Sequence, residues 1–195
     1  MKKIRDHAEM TEWWKARTQA FEAEFGPMDD MVRHSNIPFE MGETAGGLAN
    51  VVYFRQHVPG VLAVTSELIG LNGQVPNGLG NYELAICRRG ESEWCDYMIS
   101  RMAHYTFKQE LAHGDVMDIR SIVPSEATVS ALLFLEFARF EVKERDAGVL
   151  LCLGITPDEL AACRGGRTTE VLEALSERDV FPFTDLYRPS VLAPN

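Results

Sequence analysis

The amino-acid sequence predicts an α+β fold in which helices pack on a mixed, largely antiparallel β-sheet. Short apolar runs bounded by glycine, proline and asparagine are typical of strands, and they alternate with segments whose apolar residues recur at helical spacing. A chain of 195 residues is long enough to bury one core, and it contains no internal repeat, linker or low-complexity segment. We therefore predict a single domain over residues 1–195.

The first predicted element is an amphipathic helix over residues 6–25. Gly26 and Pro27 end it, because glycine suits the turn after a helix and proline cannot continue one. Residues 1–27 thus form an N-terminal helical segment. Its predicted buried face consists of Met10, Trp14, Phe21 and Phe25, with Trp13 and Ala20 at the margin.

Strands are predicted before and after a central helix. Residues 29–47 are irregular, with room for one strand and a loop. Gly78 and Gly80 resemble a phosphate-binding loop, but a strand follows them where a helix is required, so we interpret them as a turn. The predicted strands are 48–55, 61–70 and 81–89 upstream, and 116–123, 128–139 (extended to 143) and 149–155 downstream, with turns at 57–60 and 146–148.

The central helix is predicted from Glu93 to the neighbourhood of Leu111. Ser92 is suited to cap it, and residues 113–115 turn the chain toward the next strand. At 100° per residue, one side is apolar and the other polar. The apolar side holds Trp94, Met98, Ile99, Met102, Tyr105 and Thr106, and the polar side holds Glu93, Asp96, Ser100, His104 and Lys108.

Two short helices are predicted after the last strand. Thr156, Pro157 and Glu159 match a capping box with proline at the first helical position. The loop 164–167 separates this helix from a second one over residues 168–177. An irregular aromatic tail follows at residues 181–190.

Charge and cysteine usage restrict the possible partners. A net charge of −10 and a pI near 5.0 argue against nucleic acid and anionic membranes, and they suit a basic protein partner. No signal peptide and no apolar run long enough to span a membrane is found, which predicts a cytoplasmic protein. We predict reduced core thiols, with zinc binding as the alternative, for Cys87, Cys95, Cys152 and Cys163.

No established catalytic motif occurs: there is no nucleophile elbow, H-E-x-x-H pair, P-loop or calcium loop. We therefore predict no catalytic residue, metal or cofactor. One polar cluster is more conspicuous than the others. If it were a metal site, its third ligand would be missing, and if it held an acid–base pair, no nucleophile would be identifiable. A solvated His104, a buried Tyr105 ring with its hydroxyl at the rim, and a turn role for Asp115 are the simpler interpretations. This cluster consists of His104, Tyr105, His113, Asp115 and Asp118.

Motifs spread over residues 48–190 together resemble one known family. They include Tyr82-Glu83-Leu84, the run from Met102 to Phe107 after Trp94 and Met98, Gly114-Asp115, residues 154–160, residues 169–175 and residues 183–188. In order and spacing they resemble the suppressor of fused family.

The resemblance implies an α/β sandwich and a protein-binding role without catalysis. In animal members a companion domain helps to hold a peptide of Hedgehog-pathway transcription factors, and this peptide adds as a strand to the sheet edge. A tyrosine and an aspartate that contact the peptide correspond to Tyr105 and Asp115, and we add His104 and His113 as candidate partner-binding residues. Bacterial single-domain members are implied to be immunity proteins against polymorphic toxins, many of them nucleases.

Three functional hypotheses follow. The leading one is a cytoplasmic immunity protein that covers a basic toxin, with a nuclease as the implied class, encoded nearby. The second is a peptide-binding adaptor that uses the Tyr105 and Asp115 cleft and an open strand edge. The third is a small-molecule enzyme whose acid–base pair or nucleophile is not identifiable from the sequence.

Overall fold

The structure is a computed structural model that describes residues 7–192 of the chain. Its centre is a mixed sheet of seven strands, in which one central pair is parallel and the other neighbours are antiparallel. This confirms the predicted α+β fold. The strands are β1 (Val32–Arg33), β2 (Val51–Phe54), β3 (Val61–Thr65), β4 (Asn81–Arg88), β5 (Val116–Asp118), β6 (Ala131–Val142) and β7 (Arg145–Ile155).

The spatial order of the strands is β1-β2-β3-β4-β7-β6-β5, so β1 and β5 form the two edges. The parallel pair is β4 with β7. No helix in the described part of the chain is both long and apolar enough to cross a membrane. The helices are α1 (His7–Phe25), α2 (Glu93–Met102), α3 (Pro157–Arg164) and α4 (Thr168–Glu177), and 3-10 turns span Phe39–Met41, Glu43–Ala45 and Ala103–Phe107.

Helices cover both faces of the sheet and create two cores. Because successive strand residues point to opposite faces, Ala85 and Cys87 of β4 pack beneath α1, α3 and α4. Leu84 and Ile86 of the same strand pack beneath α2. Each face of the central strands is therefore covered, which explains why β4 lacks polar alternation over most of its length.

The buried face of α1 differs from the predicted one. Trp13, Phe21 and Phe25 are buried, whereas Met10 is 44% exposed, so the prediction that Met10 faces the core is wrong. The guanidinium of Arg17 donates to the carbonyl oxygen of Ile69 at 2.7 Å. Because Arg17 makes this buried polar contact, the helix face that contains Trp13, Arg17 and Phe21 points toward the sheet.

The hairpin between β6 and β7 turns earlier than the sequence predicts. Lys143 and Glu144 form the turn with φ values of 51° and 60°, although neither is a glycine or an asparagine. The turn predicted at 146–148 is therefore wrong. Gly148 lies inside β7 instead, where a Cβ atom would approach the Ala138 carbonyl oxygen to 2.5 Å. Glycine is required at this position because the two strands approach each other closely there, and not because the chain turns.

The cysteine prediction agrees with the structure. All four cysteines are free and buried. Burial raises the pKa of the Cys95 thiol to about 11 and that of the Cys87 thiol to about 12. Neutral thiols of this kind behave as small apolar side chains in the core.

Candidate functional site

Helix α2 is positioned by its cap and by its contact with the sheet. The Ser92 hydroxyl accepts a hydrogen bond from the Cys95 main-chain N–H at 3.3 Å, as the sequence predicts. Met98, Ile99 and Met102 are buried against the sheet. The α-helix ends at Met102, earlier than predicted, because the chain tightens into a 3-10 turn over the next five residues.

The middle of the predicted polar side is buried as well, although Glu93 and Lys108 at its two ends are exposed. Asp96, Ser100 and His104 all lie in the interior, although the sequence predicts them on the solvated side. Asp96 accepts a hydrogen bond from the Tyr53 hydroxyl at 2.9 Å and another from Nε of Arg88 at 3.2 Å. These contacts fix α2 to β2 and β4 through a charged pair.

A loop before β2 covers the rest of this polar side. The Ser100 hydroxyl donates to the carbonyl oxygen of Ala49 at 2.5 Å, and Nε2 of His104 donates to that of Gly47 at 2.6 Å. The His104 ring also stacks on Phe39, with the ring centroids 4.3 Å apart. His104 is only 8% exposed, so the prediction of a solvated histidine is wrong. Main-chain carbonyl groups take the place of the water that the polar side was predicted to contact.

The solvent-exposed line of this region consists of Tyr97, Arg101 and Tyr105, spaced four residues apart. Nη1 of Arg101 donates to the Tyr97 hydroxyl at 2.9 Å. Tyr105 is 39% exposed, so the prediction that its ring is buried is wrong. The ammonium group of Lys108 lies 5.5 Å from the centroid of the Tyr105 ring, which supports the ring from one side.

An apolar groove of about 330 Å³ lies between α2 and β5, which is an edge strand. Met98, Met102 and Ile119 form its buried floor, and Met117 of β5 is half-buried beside them. Methionine side chains adapt to different partners because they are unbranched and polarizable. We call this site the α2–β5 groove. Its rim is formed by Trp94, Tyr97, Arg101, Tyr105 and Ile122, with Glu43 and Asp118 at its borders.

The charged groups bordering the groove are paired with neighbours. Glu43 accepts a hydrogen bond from Lys108, and this bond holds the pKa of the Glu43 carboxyl below its ordinary value. Asp118 accepts from the Arg120 guanidinium at 2.6 Å, which likewise lowers the pKa of its carboxyl. The carboxyl groups of Glu43 and Asp118 therefore stay ionised at neutral pH, while the floor of the groove is apolar.

The sequence comparison identifies the family. A family model for the suppressor of fused protein matches residues 51–189. The chain belongs to the suppressor of fused family. Among curated proteins, none matches the sequence.

Solved structures agree with this suppressor of fused assignment at the level of the fold. A chain of the Sufu–Fu complex crystal structure superposes with a TM-score of 0.67 at 14% identity, over 94% of this chain and 92% of that one. A structure described as a suppressor of fused homologue from Neisseria gonorrhoeae superposes with a TM-score of 0.61 at 15% identity, over 95% of this chain and 100% of that one. Drosophila Suppressor of Fused superposes with a TM-score of 0.62 at 15% identity. The match covers 91% of this chain and 50% of the Drosophila chain.

The structure separates the four predicted suppressor-of-fused site residues. Tyr105 lies at the groove rim, whereas His104 is buried behind it. Asp115 is exposed one residue before β5, where its Oδ2 accepts from the main-chain N–H of Ala112 at 2.8 Å. His113 is also exposed and accepts from the main-chain N–H of Glu136 through Nδ1 at 3.1 Å. Both serve the turn that leads into the edge strand, outside the groove lining.

The groove also contains residues that the sequence reading did not select. Met117, Ile122 and Glu43 reach it from segments that are distant along the chain. The four-residue spacing of Tyr97, Arg101 and Tyr105 was the available signal, since it marks one helix face. The exposure of these three side chains could not be derived from the sequence, because the sheet covers one face of α2 and the loop before β2 covers another.

A second cavity of about 360 Å³ lies between the end of β4 and the C-terminal tail. Its three arginines pair with neighbouring carboxylates: Arg88 with Asp96, Arg89 with Asp179, and Arg188 with Glu159. Within residues 7–192 no cluster of histidine, cysteine and carboxylate side chains is placed to hold a metal ion.

Proposed function

We propose that this suppressor-of-fused-like domain is a non-catalytic protein-binding module that holds an extended segment of a partner in the α2–β5 groove. The observation that carries the proposal is the position of the groove beside an edge strand. An edge strand offers main-chain donors and acceptors, and an adjacent apolar groove offers a pocket for side chains. Tyr105 is the contact residue that the sequence and the groove geometry both favour.

Peptide selection tests this proposal. A phage library of random peptides is selected on the full chain, and enriched clones are measured again as synthetic peptides by fluorescence anisotropy. Tyr105→Ala should weaken binding at least tenfold, because it removes an aromatic wall of the groove. Tyr187→Ala is the matched control, since Tyr187 is an exposed tyrosine that does not line the groove. Equal loss in both variants, or no clone that depends on Tyr105, would contradict the proposal.

Asp115 is proposed to act at the end of the same surface. Its carboxylate is exposed and holds the turn before β5. The double variant Tyr105→Ala with Asp115→Ala should therefore lose partner binding while it keeps its circular dichroism spectrum. If the double variant binds as tightly as the original chain, these two residues do not form the site.

We further propose that the partner is a basic toxin domain, for which a nuclease is the favoured class, and that the chain acts as its cytoplasmic immunity protein. The supporting observation is the net charge of −10, which would accelerate association with a basic domain. The family resemblance points to the same role.

Co-expression with a toxin domain encoded beside this gene tests the immunity role. The chain should protect cells from that toxin, and raising the salt concentration should lower the association rate of the purified pair. Protection should be lost with Tyr105→Ala and retained with Tyr187→Ala. Lack of protection by the original chain would reject the immunity role but would leave the peptide-binding proposal standing.

A further inference from the structure

The second cavity lies at the carboxyl end of β4, one strand of the parallel pair. The ladder between β4 and β7 ends at Ala85 and Leu151. Beyond that point the N–H of Thr184 donates to the carbonyl oxygen of Cys87, and the hydroxyl of Thr184 accepts from the N–H of Gly154, both at 2.8 Å. Thr184 of the C-terminal tail therefore lies between the ends of the two strands, and it also lines the cavity.

The helices that follow these two strands pack on opposite faces of the sheet. α2 follows β4 and belongs to one core, whereas α3 follows β7 and belongs to the other. In open sheets, ligands bind in the crevice outside the carboxyl ends of parallel strands, at the point where the chain leaves neighbouring strands toward opposite faces. The volume of about 360 Å³ is also within the range of small-molecule pockets, which is about 300–1,000 Å³.

Arg188 lines this cavity and has one buried donor without an acceptor. Its Nη1 donates to Oε1 of Glu159 at 2.7 Å and to the carbonyl oxygen of Pro189 at 3.0 Å. Its Nη2 donates to Oε2 of Glu159 at 2.5 Å and to the carbonyl oxygen of Gly154 at 3.0 Å. These bonds use every Nη hydrogen, and the buried Nε–H has no acceptor within residues 7–192. An acceptor supplied by a ligand would satisfy this donor.

The buried charges that line the cavity are positive. The side chains of Arg88 and Arg188 are only 2% and 5% exposed. The carboxylates that pair with them, Asp96 and Glu159, lie outside the cavity lining. The guanidinium groups therefore separate these carboxylates from the cavity.

The negative charges that line the cavity are exposed. The side chains of Glu91 and Asp179 are 74% and 86% exposed, and Asp185 is exposed too. Water and salt screen exposed charges much more than buried ones. The cavity lining therefore favours an anionic ligand over a cationic one.

Two further groups supply donors to this cavity. The guanidinium of Arg89 lies over the Phe183 ring, 4.3 Å from its centroid, and is half-exposed. Gly90 and Ser92, at the start of α2, line the same cavity. The first N–H groups of a helix have no partner inside the helix and carry a partial positive charge, which attracts anions.

We infer that this cavity binds a small molecule with an apolar body and one phosphate or carboxylate group. Guanidinium N–H groups and the start of α2 supply the donors for the anionic group. Val180, Phe183 and Leu186 supply the apolar wall for the body. The cavity shares no lining residue with the α2–β5 groove, so the inference goes beyond the proposed function.

Titration of the full chain with small probes, followed by ¹H–¹⁵N NMR spectra, tests the inference. Phenyl phosphate and benzoate combine a ring with an anionic group. Benzyl alcohol lacks the charge, benzylamine reverses it, and inorganic phosphate lacks the ring. Phenyl phosphate or benzoate should saturate the site and bind about tenfold more tightly than these three controls, and the tighter of the two identifies the anionic group. Similar affinity for any of the three controls would overturn the inference.

The Nε–H resonance of Arg188 is the most direct readout. Saturation with the tighter probe should move its proton signal downfield, because the donor gains a charged acceptor. Arg188→Lys assigns the signal, since lysine keeps the charge beside Glu159 but has no Nε–H. An Arg188 signal that stays unchanged while the probe binds would also overturn the inference.

A variant of Arg89 completes the test and does not disturb a buried group. Arg89→Gln should weaken the tighter probe about fivefold, because one guanidinium of the cavity is lost. Arg120→Gln is the matched control, since Arg120 is an exposed arginine that pairs with Asp118 outside this cavity. Equal losses in both variants would show an effect of net charge alone and reject the site. Failure of the titration would leave the peptide-binding proposal standing, because that proposal concerns the groove.

Discussion

The Asp96 carboxylate and the Arg88 guanidinium lie 3.2 Å apart between α2 and β4, with side-chain exposures of 7% and 2%. The Tyr53 hydroxyl donates to the same carboxylate. Burial, followed by the charge of Asp96, raises the pKa of Tyr53 well above its ordinary value, so the phenol remains the donor. A charged cluster in the interior thus joins the helix of the groove to the sheet.

Removing one member of this pair should be costly. Asp96→Ala leaves the Arg88 charge buried without its main partner, and we expect a loss of about 3–5 kcal/mol in the free energy of unfolding. Urea unfolding followed by circular dichroism measures it. Glu91→Ala is the control, because Glu91 contacts the same guanidinium but is 74% exposed, and it should cost less than about 1 kcal/mol. Similar losses for both variants would show that burial does not govern this pair.

The sequence predicts the elements of this fold better than it predicts their faces. Helical period and capping locate α2, and strand composition locates the sheet, because both depend on residues close together along the chain. His104 is buried where its ring meets the carbonyl oxygen of Gly47, which is distant in sequence, whereas the next residue, Tyr105, is 39% exposed. The groove was missed in part because Met117 and Ile122 reach it from another segment.

Glu83 should make the stability of the protein fall as the pH rises. The side chain is fully buried in β4, where it accepts from the Thr65 hydroxyl at 2.6 Å and from the Ile69 N–H at 2.9 Å. Burial raises the pKa of its carboxyl from 4.5 to about 7, against the opposing effect of Arg17. The native state therefore binds the proton more tightly than the unfolded state. This stabilisation is complete below pH 4.5 and is lost as the pH rises through about 7.

Glu83→Gln tests the assignment of this pH dependence. The amide keeps the acceptor for Ile69 and carries no charge, so the variant should gain roughly 2–3 kcal/mol relative to the original chain between pH 5 and pH 8. Urea unfolding at several pH values gives the difference curve. Burial also raises the pKa of the nearby Glu67 carboxyl, and the charge of Glu67 contributes to the raised pKa of Glu83. A difference that is constant with pH would show that Glu83 is ionised in the native state.

Gly47 should tolerate no side chain, because the chain passes close to itself there. A Cβ atom at this position would lie 2.3 Å from the carbonyl oxygen of Pro38 and 3.0 Å from that of Phe39. Gly47→Ala must displace the loop that receives His104, and we expect a loss of about 1–3 kcal/mol in the free energy of unfolding. Peptide affinity should fall as well, since the same loop carries Glu43 to the groove border.

Gly90→Ala is the matched control for this substitution. A Cβ atom there would have no neighbour within 4 Å, so the stability and the peptide affinity should stay within about 0.5 kcal/mol of the original values. Unfolding midpoints for the two variants, measured side by side, decide the question. A tolerated Gly47→Ala would mean that the chain at Gly47 lies farther from the carbonyl oxygen of Pro38 than the 2.3 Å approach of the added Cβ atom implies.

Trp94 should link stability to binding, because it holds one wall of the groove. Its indole N–H donates to the carbonyl oxygen of Ile122 at 2.9 Å, and both residues line the groove. Trp94→Phe keeps an aromatic ring but removes this bond, so we expect a loss of about 1 kcal/mol in stability and a similar loss in peptide binding. Trp14→Phe is the control, since Trp14 is half-buried on the other face of the sheet. If calorimetry shows unchanged peptide affinity for Trp94→Phe, the wall formed by Ile122 does not contribute to the binding surface.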